Sequence, residues 1–172
     1  MFKLNELEAE KWLKWFLNLS SYCRKYGRFD VLASQIVKHW REVDEAFYVL
    51  ADEKYRFFIK ELFTFIAETV KGDLNVRTAV LKTITEAHKD VPVEEFSKLS
   101  KMSDDGRVKY AEKVIKYVRG VAEKHGSPYG GVAALKWLMS PTGQAFIPFL
   151  WKEKYKVLCV NAFVELIVLM FS

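Results

Sequence analysis

The sequence has little cysteine, proline or glycine, with 2, 4 and 8 of these residues among 172. So few turn-forming residues exclude a sandwich or barrel of many short strands, because such folds need a turn about every ten residues. Cys23 and Cys159 are far apart in the sequence and have apolar neighbours. We therefore expect two reduced core thiols and no disulfide framework.

Motifs of catalysis and cofactor binding are missing as well. The sequence has no G-x-x-x-x-G-K-[ST], G-x-G-x-x-G or G-x-S-x-G, and His39, His88 and His125 have no metal-ligand spacing. Adjacent acids such as Glu94 and Glu95 point in different directions on a helix, so they do not form a hydrolytic pair. We expect no enzyme, no cofactor and no metal; an enzyme with a site assembled between helices is the remaining alternative.

Long hydrophobic runs are absent except for residues 157–171, where only Asn161 and Glu165 are polar. This run of 15 residues is shorter than the roughly 20 needed to span a bilayer. The N-terminal residues also lack a basic segment followed by an apolar one, so no secretory signal is expected. The sequence predicts a cytoplasmic protein without a membrane span. Residues 157–171 then form either a buried helix or the interface with a second copy or another protein.

What the sequence does contain is an amphipathic helical pattern: 51% of the residues are apolar and 15% are aromatic. Apolar residues recur at intervals of three and four, and residues that cap helices precede these segments. We predict an all-α fold, a single domain over residues 1–172 with about seven to nine helices, a hydrophobic last helix and no internal repeat. The predicted start signals are Asn5, Asp30, Asp52, Asn75, Pro92, Ser103, Ser127 and Ser140, with a break at Pro148.

Two further motifs suggest ligand binding only weakly. Gly130 and Gly131 at a helix start are consistent with a phosphate site made of backbone N–H groups, but close helix packing is the favoured interpretation. A helix-turn-helix over residues 84–99 is disfavoured, because Glu94 and Glu95 at the start of its second helix would repel phosphates.

Positive charge is concentrated late in the sequence. The chain has 27 Lys and Arg against 22 Asp and Glu, a composition rich in Lys and Glu that is typical of thermophile proteins. On the helix predicted after Ser103, three lysines fall within about 60° of one another, and a fourth lies close by on the same side. We call this set the lysine ridge: Lys109, Lys113, Lys116 and Lys124.

Aromatic residues and acids border the lysine ridge. Tyr110 and Tyr117 lie along one side, where rings can stack on bases, and Glu112 and Glu123 lie along the other. This pattern predicts a non-catalytic, nucleic-acid-associated subunit or accessory factor that binds through the ridge. The alternative is a protein–protein assembly module in which the ridge is only a solvated helix face.

Overall fold

The computed structural model describes residues 3–85 and 93–171, and over these residues it is all-α, as predicted. No strand occurs among them; three single-turn 3₁₀ helices, Glu53–Tyr55, Ile147–Phe149 and Glu153–Tyr155, connect the α-helices. The ten α-helices are α1 Glu6–Tyr26, α2 Phe29–Lys38, α3 Trp40–Val49, α4 Arg56–Val70, α5 Leu74–Thr85, α6 Val93–Lys101, α7 Asp104–His125, α8 Ser127–Met139, α9 Pro141–Phe146 and α10 Lys156–Phe171.

Three of the predicted caps form as expected. The backbone N–H of Glu8 donates to the Asn5 side chain at 2.8 Å, and the Glu8 carboxylate accepts from the Asn5 backbone. The Oγ atoms of Ser103 and Ser140 accept from the third residue beyond each, at 3.0 and 3.1 Å. These side chains satisfy backbone donors that have no partner within the helix, and they fix where α1, α7 and α9 begin.

The structure has more helices than expected because the segment after Gly27 is broken. His39 lies outside the helical region (φ −112°, ψ 23°) and separates α2 from α3. Neither glycine nor proline marks this break. The apolar periodicity continues across it, so the sequence predicted one continuous helix. The cap of α5 is also displaced: Val76 N donates to Asp73 Oδ1 at 3.1 Å, two residues before the predicted Asn75.

The chain forms two compact units. Unit 1 contains α1, α2, α3 and α10 (residues 1–52 and 151–170), and unit 2 contains α4 to α9 (residues 53–150). Each unit has its own core of fully buried side chains. These are Leu13, Phe16, Phe47 and Phe163 in unit 1 and Leu62, Ile115, Leu135 and Phe146 in unit 2.

The sequence contains an internal repeat that was not expected. Residues 50–55 read L-A-D-E-K-Y and residues 150–155, one hundred positions later, read L-W-K-E-K-Y. Both segments have the same local structure: a bridge residue, then E-K-Y in a 3₁₀ turn, then a long α-helix. Ala51 and Trp151 pair with each other in an antiparallel bridge, and Lys152 N donates to the Leu50 carbonyl at 3.1 Å.

A second pair of matching segments lies in α1 and α7, which have 21 and 22 residues. Residues 9–15 read A-E-K-W-L-K-W, and residues 111–117 read A-E-K-V-I-K-Y. Their burial matches too: the alanine and the fifth residue of each are buried, and both lysines are exposed. The two pairs differ in spacing, by 100 and 102 residues, and few other positions are identical, which is why the sequence alone did not reveal the repeat.

The helix after each E-K-Y segment belongs to the unit of the other half of the sequence. In unit 1, the Glu6 carboxylate at the start of α1 accepts from Lys152 and, at 3.3 Å, from the Tyr155 hydroxyl. Further along the same two helices, Arg24 pairs with Glu165 at 2.6 Å. These contacts occur in the same order along both helices, so α10 lies parallel to α1.

Unit 2 is built in the same way around α7. Asp104 at the start of α7 pairs with Lys54 of the first E-K-Y segment at 3.2 Å, and Arg119 pairs with Glu61 of α4 at 2.9 Å. Thus α4, from the first half, completes the unit of α7, while α10, from the second half, completes the unit of α1.

Candidate nucleic-acid interface

The lysine ridge lies on the solvent side of α7. Its four lysines are all exposed, and none of them forms an ion pair with a residue that the structure describes. The opposite side of the helix carries the buried stripe, namely Ala111, Val114, Ile115 and Val118. The amphipathic pattern therefore places the ridge where the sequence predicted it.

The position between Lys116 and Lys124 on the ridge is occupied by Gly120. This residue is exposed, and a Cβ added there would meet nothing within 4 Å. The flank of the ridge is anchored by Arg119, whose guanidinium lies 5.5 Å from the centre of the Phe57 ring while it pairs with Glu61. Arg119 thus binds α7 to α4, and the exposed cations of the ridge are the four lysines.

The two tyrosines beside the ridge have different environments. Tyr117 is 64% exposed. Tyr110 is half-buried: its hydroxyl accepts from Trp137 Nε1 at 2.9 Å, and its ring centre lies 5.6 Å from that of Phe146. Tyr110 therefore packs against the core of unit 2, and Tyr117 is the ring presented to solvent.

The start of α7 is held by Arg107, which the sequence did not single out. Its Nη1 donates to the carbonyls of Leu99 and Met102 at 2.8 and 2.6 Å, and its Nη2 bonds Asp104. The guanidinium lies 4.7 Å from the centre of the Phe149 ring. This cation ties the end of α6 to the start of α7, so it has a structural task that is separate from the ridge.

An aromatic pocket lies in unit 1, and the sequence did not indicate it. The Trp12 and Trp15 ring centres are 5.3 Å apart, and the His39 ring lies 5.1 and 5.3 Å from them. The three rings and two polar side chains line an open cavity of about 310 Å³. We call this set the aromatic pocket: Lys11, Trp12, Trp15, Gln35 and His39. The missed signal was a tryptophan pair three residues apart, which puts both rings on one helix face.

The glycine pair of α8 is a packing feature. Gly130 and Gly131 are both buried, and a Cβ on Gly131 would collide with the side chain of Thr69 and the carbonyl of Phe65 on α4. The two helices therefore approach so closely that only glycine fits. This confirms the packing interpretation, and burial leaves no room for a phosphate at these residues.

The helix α10 has a buried face and an exposed face. Five residues including Phe163 and Leu166 are buried, and the Glu165 carboxylate accepts from Ser20 and pairs with Arg24. Glu165, one of the two polar residues in the apolar run, therefore has its partners within unit 1. The exposed face carries valines that are 74%, 48% and 36% exposed: Val157, Val164 and Val168.

Other predicted sites can be compared with the part of the chain that the structure describes. Within residues 3–85 and 93–171, no group of three or more His, Cys, Asp or Glu is placed to hold a metal ion. Cys23 and Cys159 are free and buried, as expected, and burial raises the pKa of the Cys159 thiol. The turn of the disfavoured helix-turn-helix, residues 90–92, lies outside the described residues. No described helix combines the length and the apolar character needed to cross a membrane.

Comparison with known proteins gives no assignment, because no family model, no curated protein and no solved structure matches this chain.

Proposed function

We propose that the protein binds single-stranded nucleic acid through the lysine ridge and Tyr117, without catalysing a reaction. The observation that supports this proposal is the set of four exposed lysines on one face of α7, which form no ion pair with any residue that the structure describes. From Lys109 to Lys124 the ridge extends over about 22 Å, at roughly 1.5 Å per residue. A cationic strip of this kind, bordered by an aromatic ring, suits a strand that offers both phosphates and unpaired bases.

The borders of the ridge indicate how a strand would lie on it. Glu112 and Glu123 are exposed along one side and would repel phosphates. Tyr117 is exposed on the other side and offers a ring on which a base can stack. The bases therefore lie toward Tyr117 and the phosphates along the lysines.

Charge reversal on the ridge tests the proposal. The Lys113→Glu, Lys116→Glu double variant is expected to lower the affinity for a fluorescently labelled oligo(dT) at least tenfold at about 50 mM salt, because two phosphate contacts become repulsions. Fluorescence anisotropy measures the affinity. The thermal unfolding midpoint should change little, since both side chains face water.

The matched control reverses two exposed lysines elsewhere in unit 2, Lys60 and Lys82. The Lys60→Glu, Lys82→Glu variant has the same net charge as the ridge variant, so a general effect of charge lowers the two affinities equally. A loss confined to the ridge variant supports the proposed function. Equal losses show that the ridge has no specific role.

The exposed valines of α10 favour a second candidate function, self-assembly. Val157, Val164 and Val168 recur at intervals of seven and four, so they form an apolar stripe on the outer side of the helix, with the exposed Asn161 on the same side. If this stripe meets a second copy, static light scattering gives a dimer mass that Val164→Glu reduces to that of a monomer. A monomer mass for the unmodified protein at about 100 μM rejects assembly through this face.

A further inference from the structure

We infer that the aromatic pocket of unit 1 is a second nucleic-acid contact, one that holds a base. This inference rests on the proposed function, but a different set of residues and the other unit carry it. The internal repeat relates the pocket to the lysine ridge, and the chemistry of the pocket selects the occupant.

The repeat places corresponding residues in the two surfaces. Residues 9–15 of α1 match residues 111–117 of α7, so Lys11 corresponds to Lys113 and Trp15 to Tyr117. Lys11 and Lys113 are both exposed. Both rings are accessible to solvent, since Trp15 is half-buried and Tyr117 is exposed. The arrangement of cation and ring that supports nucleic-acid binding in unit 2 therefore recurs in unit 1.

The surface of unit 1 has three aromatic rings where the lysine ridge has only the exposed ring of Tyr117. Trp12 stands where α7 has the buried Val114, and His39, in the break between α2 and α3, adds a third ring. The Trp12 and Trp15 planes are almost perpendicular, at 82°, and both indoles line the cavity, where an aromatic ring can stack on a planar guest. Stacking of a base on an aromatic side chain contributes substantially to single-strand binding and tolerates any base.

The polar lining of the pocket suits a nucleobase with its phosphate. The Gln35 amide both donates and accepts hydrogen bonds, as the edge of a base requires. Lys11 is exposed and forms no ion pair with a described residue, so its ammonium is available to a phosphate. Lys14, which corresponds to Lys116, is instead partly neutralised by Glu10 at 2.8 Å.

The charge at the pocket argues against a quaternary ammonium ligand, which aromatic rings also commonly bind. A cage of rings attracts quaternary ammonium groups through the ring faces. Here Lys11 lines the cavity, and its positive charge would repel such a cation. A planar group that carries negative charge fits both the rings and the ammonium, and a nucleotide unit of a single strand meets that description.

The test compares two labelled probes of equal length, oligo(dT) and an abasic strand with the same number of phosphates. Trp15→Leu removes the stacking ring and is expected to lower the affinity for oligo(dT) about five- to hundredfold while leaving the affinity for the abasic strand unchanged. Trp15→Phe keeps a ring and should retain most of the affinity. Tyr22→Leu is the control, since Tyr22 is an exposed aromatic residue of the same helix outside the pocket.

The outcomes distinguish this inference from the proposed function. If oligo(dT) binds but Trp15→Leu behaves like Tyr22→Leu, or if it weakens both probes equally, the pocket does not hold a base and the ridge still does the binding. If the unmodified protein binds neither probe, the proposed function fails together with the inference. Thermal unfolding of each variant shows whether the fold is intact. Should Trp15→Leu be unstable, Gln35→Ala, which leaves the three rings in place, is expected to weaken binding of oligo(dT) and not of the abasic strand, and an unchanged affinity for oligo(dT) would overturn the inference.

Discussion

Gly120 lies on the exposed face of α7, within the lysine ridge, and has open space where a side chain would be. Because glycine in a helix interior costs about 0.5–1 kcal/mol relative to alanine, we predict that Gly120→Ala and Gly120→Lys both raise the free energy of unfolding by about that amount. Only Gly120→Lys adds a cation to the ridge. It should raise the affinity for oligo(dT) about five- to tenfold at about 50 mM salt.

This pair of variants separates stability from binding. Chemical denaturation measures the free energy of unfolding, and anisotropy measures the affinity. If Gly120→Ala raises the affinity as much as Gly120→Lys does, the effect comes from a more stable helix, and the ridge is not the binding surface.

Asp44 on α3 is half-buried and forms no hydrogen bond or ion pair with a described residue. Burial, with a smaller contribution from the Glu45 charge, raises the pKa of Asp44 to about 6. In the unfolded chain the pKa of this carboxyl is about 3.9. The folded state therefore binds the extra proton between about pH 4 and 6, and stability is lost as the pH rises through that window.

We predict that Asp44→Asn removes this penalty. At pH 8 the variant should be more stable than the unmodified protein by about 1 kcal/mol, a value reduced to allow for the partial exposure of the side chain. At about pH 3, below the pKa of Asp44 in both the folded and the unfolded state, the carboxyl is largely protonated in both, and the two proteins should unfold at nearly the same temperature. Differential scanning calorimetry at the two pH values measures this; an equal gain at both would show that the charge of Asp44 is not the cause.

The helices α4 and α10 each complete the unit of the other half of the sequence. Phe163 of α10 lies 6.0 Å from Phe47 of α3, between ring centres, and Ile59 of α4 is buried in unit 2. Phe163→Ala should cost about 3–5 kcal/mol and Ile59→Ala about 2–5 kcal/mol, since both side chains are almost fully buried.

Hydrogen exchange shows which helices each variant loosens. For Phe163→Ala, amide exchange is expected to rise in α1 and α3; for Ile59→Ala, it is expected to rise in α7 and α8. The opposite distribution, in which each variant loosens the helices of its own half of the sequence, would contradict the exchange of helices.

At the scale of elements, local signals predicted most of the helices, and the features that they missed have no local signal in the sequence. Asn5, Ser103 and Ser140 cap helices as predicted, because capping depends on residues three positions apart. The break at His39 has no local breaker residue, so periodicity could not reveal it. The site was predicted in the same way: the position of the lysine ridge follows from helical geometry, but the role of Tyr110 depends on Trp137, 27 residues away.

For the molecule as a whole, the repeat gives the chain two related surfaces, the lysine ridge of unit 2 and the aromatic pocket of unit 1. The net charge of +5, most of which lies in unit 2, is compatible with an anionic partner of the lysine ridge. The aromatic pocket escaped prediction because its residues come from α1, α2 and the break before α3, which only the folded chain brings together.

The salt dependence of binding tests the central claim, that this protein binds single-stranded nucleic acid through its lysines, most directly. The measurement is fluorescence anisotropy of labelled oligo(dT) with the unmodified protein at salt concentrations from about 50 to 200 mM. Four phosphate contacts predict a log–log slope of about −2.8, at about −0.7 per contact, and so a loss of affinity of roughly fiftyfold over this range. No binding at about 50 mM salt and tens of micromolar protein, or an affinity that does not change with salt, would contradict the account.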